Sequence, residues 1–167
     1  MVLTKSELLA ALQNEVRILL HLAGKVDRDQ LDYRPTPKQR STLELLQYLS
    51  MMGPGSLQFA KAATFDLTVR KAAEEAAAAR DFDQTLAAIA AHSDVYASLL
   101  ADMSDADLRA EPEAFGIKIT RGAYIVTYVL GGCVAYRMQL FLYLKASGRE
   151  ELSTMNLWAG VDPPAAV

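Results

Sequence analysis

The chain has 167 residues, 20 acidic and 17 basic side chains, a formal charge of −3 and one cysteine. That is enough for one domain (1–167) with a real core and no structural disulfide or metal. It leaves no basic footprint for nucleic acid or an anionic membrane, and neither is expected as a partner. The N-terminal MVLTKSELLAAL lacks a basic start followed by a short apolar stretch and a cleavage site, so a cytoplasmic, reducing location is expected.

The first predicted helix, 5–24, opens on TKSE, a capping box in which hydroxyl and carboxylate satisfy each other's free amides. Leu8, Leu12, Val16, Leu19, Ala23 and Val26 form its apolar arc at 100° per residue. Glu15 projects into that arc and so requires a hydrogen-bonding partner or a raised pKa. His21 falls on the opposite face beside Asn14, Arg17 and Lys25 and reads as a solvated histidine.

DYRPTPKQR carries Pro35 and Pro37 and leads in extended form to a second capping box, STLE, and a helix over 41–62. Pro54, between Gly53 and Gly55, is expected to kink or break that helix. TVRKAAEEAAAAR favours a helix by its alanines but has almost no apolar stripe, so it reads as a short, solvated extra helix.

A third helix, 82–103, takes its cap from Asp81 or Asp83. Its stripe is Phe82, Leu86, Ile89, Tyr96, Leu100 and Met103, with His92 at the margin, where a hydrogen-bonded boundary residue is the plain reading and a pocket residue the sharper one. The fourth helix, 121–147, runs from Thr120 to Gly148 and is apolar nearly all round. Its uncharged run, Gly122 to Tyr136, is 15 residues, short of the roughly 20 that span a bilayer. A buried helix with one face in a homodimer fits better. Gly131 and Gly132 cost about 1 kcal/mol each against alanine and imply close packing or a gap. Nothing reads as a sheet, and the fold class is all-α, a four-helix bundle with a short extra helix between helices two and three.

LDYRPTPKQRSTLELLQYLS, then AYRMQLFLYLKASG and MNLWAGVDPP, resemble in that order the DinB-like (DinB/YfiT-like) superfamily over most of the chain. The resemblance implies a four-helix bundle, often dimeric, with a divalent metal held between helices two and four by three histidines. Those histidines map onto Tyr48, Gly132 and Tyr136 of this sequence. Glycine offers no ligand atom and a phenol with a pKa near 10 is a poor stand-in for imidazole, so no metal or other cofactor is expected. Cys133 points about 100° from Gly132 and does not repair the set.

Phenols in place of imidazoles suggest an apolar pocket at Tyr48, Gly132 and Tyr136, with a notch at Gly132; Glu15, His92, Tyr128, Gln139 and Trp158 are further candidates. Core packing alone is the simpler account of the same aromatics. Arg137 would pair with Glu15, Asp32 or a C-terminal carboxylate, and Trp158 would fold back and close one end of the pocket. Two functional classes follow: a metal-free bundle that binds a small apolar molecule or dimerises, and an enzyme related to the family's thiol-dependent transferases or hydrolases using substitute residues such as tyrosine, His92 or Glu15, or a non-standard metal site. No catalytic residue can be assigned, and Cys133 as a nucleophile has no neighbour in sequence to stabilise a thiolate.

Overall fold

Apart from one that continues directly from the helix before it, each α-helix starts where a side chain can close its free amides. Thr4 with Glu7 begins α1 (Lys5–Ala23) and Ser41 with Glu44 begins α2 (Thr42–Ala62), both as complete capping boxes. Asp66 caps α3 (Leu67–Ala78), and Asp81, not Asp83, caps α4 (Phe82–Ala90), which passes through Ala91 into α5 (His92–Ala101). A short α6 (Asp105–Arg109), with no counterpart in the sequence reading, precedes the last rod, α7 (Arg121–Ala146). Thr120 caps α7, and Gly148, at φ +109°, turns the chain away beyond it.

A computed structural model describes residues 3–164, and among them there are helices, turns and loops but no strand. The chain's first two residues, and any carboxylate at its end, lie outside the described residues. The rods α1, α2, α4–α5 and α7 pack around one core that includes Leu12, Leu22, Leu45, Leu46, Ile89, Leu100, Ile125 and Leu140, all essentially inaccessible. By length and composition alone α7 could cross a membrane; here it is one rod of the bundle, packed on α1 and α2. Its helix widens to π-type turns over Ile125–Leu130, directly before the paired glycines.

Pro54 does not break α2, which runs on to Ala62. Proline has no N–H, so the Ser50 carbonyl one turn earlier loses its helical donor. His92 supplies the replacement: its Nε2 lies 2.9 Å from Ser50 O, and because a carbonyl only accepts, the ring must donate from Nε2. Ser50 is bound on its other side as well, where its hydroxyl donates to Gln47 O at 2.7 Å and accepts from Arg80 Nη1 at 2.6 Å. His92 is therefore a buried structural donor.

Burial lowers the pKa of His92 and, more weakly opposed by Asp162, that of His21. A histidine whose folded pKa lies below its ordinary value of 6.5 takes up protons more readily when unfolded. Stability is accordingly full above about pH 6.5 and falls as the pH drops below it. Urea midpoints measured at about pH 7.5 and 5.5 should decline with acid, and His92→Gln, which keeps an N–H donor but cannot ionise, should flatten the decline. Equal slopes in wild type, His92→Gln and His21→Gln would contradict this.

Candidate functional site

α2 and α7 face each other at the positions to which the family resemblance assigns imidazoles. There the Tyr48 and Tyr136 rings meet edge to face, with centroids 5.0 Å apart and planes at 66°. Arg40 lies over the outer face of Tyr48, its guanidinium carbon 4.1 Å from the ring centroid. Burial, and then the Tyr136 phenol beside it, push the Tyr48 phenol above its ordinary pKa, so it is neutral at pH 7. The expected notch at Gly132 is no larger than a methyl group: Met52 Cε and Sδ would lie 3.5 and 3.6 Å from a Cβ placed there, in ordinary contact. A flexible thioether has filled the space the sequence left open.

Two phenols, a thioether and a hydrogen do not fit a divalent cation that wants neutral imidazoles. Among the described residues no group of three His, Cys, Asp or Glu side chains comes together either.

The open space lies one turn further along, between α2 and α3. A cavity of about 400 Å³ is walled by Met51, Met52, Phe59, Phe65, Val69 and Tyr124, with Tyr48 at one edge. A second hollow of about 340 Å³, towards the start of α2, is bounded by Arg40, Gln47 and Glu74, and Tyr48 and Met51 line both. α3 is the roof. Only Ala77 of that helix is buried, and its far end is pinned by Gln47 Nε2, which donates to Ala78 O at 3.2 Å and Arg80 O at 2.7 Å. Gly55 faces this space, and a Cβ there would meet nothing within 4 Å.

The other expected site residues are used elsewhere. Glu15 receives Arg137 in a two-pronged pair, Nε to Oε2 at 2.7 Å and Nη2 to Oε1 at 3.1 Å, while Arg137 Nη1 donates to Leu157 O. Tyr96 Oη lies 3.9 Å from Cys133 Sγ, and burial pushes the Cys133 thiol up to about 11, which leaves no thiolate for nucleophilic chemistry at pH 7. Gln139 donates to Tyr143 Oη at 2.7 Å, and Tyr143 donates in turn to Arg40 O at 3.1 Å, tying α7 to the loop before α2. Tyr128 is half exposed and stacks obliquely on Tyr124, outside both hollows.

The segment after Gly148 does fold back, but Trp158 does not close a pocket. Its ring is 63% exposed and stands 5.8 Å from the Arg137 guanidinium carbon. The backbone around it seals α1 instead. Arg17 donates to Ala159 O at 2.7 Å and Gly160 O at 3.1 Å, and Lys25 meets the Asp162 carboxylate at 2.7 Å. His21, expected in solvent, sits within this clasp, 3.1 Å from Asn156 Nδ2 and 3.6 Å from Asp162 Oδ1. Gly160 has φ +59° and presses on Ile18, where a Cβ would come within 3.0 Å of the backbone.

A crystal structure of a DinB-like protein, YjoA, from Bacillus subtilis superposes on this chain with a TM-score of 0.67. The match covers 87% of this chain and 94% of that one, at 17% sequence identity. This chain has the DinB-like fold. No family model matches it, and no curated protein matches it in sequence. At that identity the likeness with YjoA concerns the DinB-like fold alone. Sequence reasoning overlooked Met51, Gly55, Phe59, Phe65 and Arg40 as site residues; the Gly-Pro-Gly triplet at 53–55 was the available signal, since three poor helix formers inside a helix imply something close by or something kept open.

Proposed function

We propose that this chain is a DinB-like bundle that has lost the family metal site and binds a small apolar molecule without catalysis, in the cavity between α2 and α3. The observation that carries the reading is the space of about 400 Å³ walled by thioethers and aromatic rings next to the Tyr48–Tyr136 pair. Its size is that of an ordinary small-molecule site, and glycine at position 55 keeps it open at some cost in helix propensity. The outward side of α7, with Val126, Met138 and Leu142 exposed, supports a homodimer through that face.

The test combines two measurements on one preparation. After incubation with zinc, nickel and iron and desalting, elemental analysis should find no stoichiometric metal. N-phenyl-1-naphthylamine, a neutral dye, should brighten on binding the wild type and lose that response in Gly55→Leu, whose side chain grows into the cavity. Tight stoichiometric metal, or a dye response indifferent to Gly55→Leu, would overturn the reading. Sedimentation of a monomer at all concentrations would remove the dimer.

A further inference from the structure

We infer that the ligand is an amphiphile with a carboxylate head, its apolar body between α2 and α3 and its head on Arg40. This rests on the cavity reading above and adds a charge to it. Around the two hollows, which share Tyr48 and Met51, stand three guanidiniums and three carboxylates, of which Asp66 accepts from the Thr68 and Val69 amides at the start of α3. Arg34 is held by Glu44 at 3.3 Å, and Arg70 by Glu74 at 2.9 Å. Arg40 has no carboxylate within 4 Å among the described residues; it is exposed, with its guanidinium carbon over the ring of Tyr48, which itself lines both hollows.

A planar guanidinium fixed on a ring keeps its N–H edge free and loses little freedom when a carboxylate arrives. Tyr48 and Met51 are the shared wall between that edge and the Met52, Phe59 and Tyr124 surfaces, so a single elongated molecule touches both. A cationic head would instead face Arg40, since Glu44 and Glu74 are matched by arginines and Asp66 is held by the Thr68 and Val69 amides.

Calorimetric titration with decanoate, decanol and decylamine at low salt separates the charge from the cavity. Decanoate should bind about tenfold or more tighter than decanol, and decylamine more weakly than either. Arg40→Gln should lower decanoate to the decanol level and leave decanol unchanged, with thermal unfolding showing that the variant is folded. Equal affinity of decanoate and decanol for the wild type, or an unchanged ratio in Arg40→Gln, overturns the carboxylate assignment while dye and decanol binding keep the cavity. Failure of all three amphiphiles and of the neutral dye overturns both.

Discussion

Arg137→Leu should destabilise the protein by about 3–5 kcal/mol, the cost of removing one member of a buried ion pair. Arg137 is 2% exposed and Glu15 is nearly as covered, so neither has water to fall back on. With Arg137 gone, Glu15 keeps a charge inside the bundle and the Leu157 carbonyl loses its donor. Removing both charges as Glu15→Met/Arg137→Leu should restore most of the loss, because two apolar side chains of similar size need no partner there. Lysine is no substitute at 137, since one ammonium cannot make two contacts to Glu15 and a third to Leu157 O. Urea unfolding of the four proteins, read as a double-mutant cycle, checks this. A loss under about 1 kcal/mol for Arg137→Leu, as for exposed pairs, would show that the pair is not sustaining the core.

Gly53→Ala and Gly55→Ala, two residues apart in one helix, should act with opposite signs. Both gain up to about 1 kcal/mol from helix propensity. At Gly55 nothing lies within 4 Å of the added methyl, so the gain is kept. At Gly53 the methyl would overlap the Tyr96 hydroxyl outright and come within 3.2 Å of its Cζ. Tyr96 is 1% exposed, its ring packs on His92, and it has nowhere to move without disturbing the donor to Ser50. Overpacking of this kind costs about 1–3 kcal/mol and exceeds the propensity gain. Tyr96→Phe removes the atom that clashes and should rescue much of the loss in the double variant. Thermal unfolding of the four single and double variants decides it, and a stabilised Gly53→Ala would show that Tyr96 has room.

What could be read from the sequence was what is local. The caps at Thr4, Ser41, Asp81 and Thr120 involve residues within three or four positions, and the four rods followed from them. Glu15 and Arg137 were legible as a problem and an answer, because a charge on an apolar arc needs an opposite one. The role of His92 was not, although Pro54 marked the Ser50 carbonyl as lacking its donor; that donor came from 42 residues away on another helix. His21 was misplaced because a helical wheel knows only the faces of α1, while a distant π-helical turn over Met155–Ala159 and the chain on to 162 cover the side it assigned to water. The cavity escaped because its roof, α3, is built from alanines that carry no apolar stripe.

The contact between Arg17 and the Gly160 carbonyl joins residues 143 positions apart. Closing so long a loop is slow and comes after the local helices and their neighbours have docked. On the ribosome, α1 is therefore made well before it is completed, its Arg17, His21 and Lys25 waiting in water until residue 162 has emerged. Variants in this clasp should leave the refolding rate nearly unchanged and be felt in how quickly the native chain comes apart.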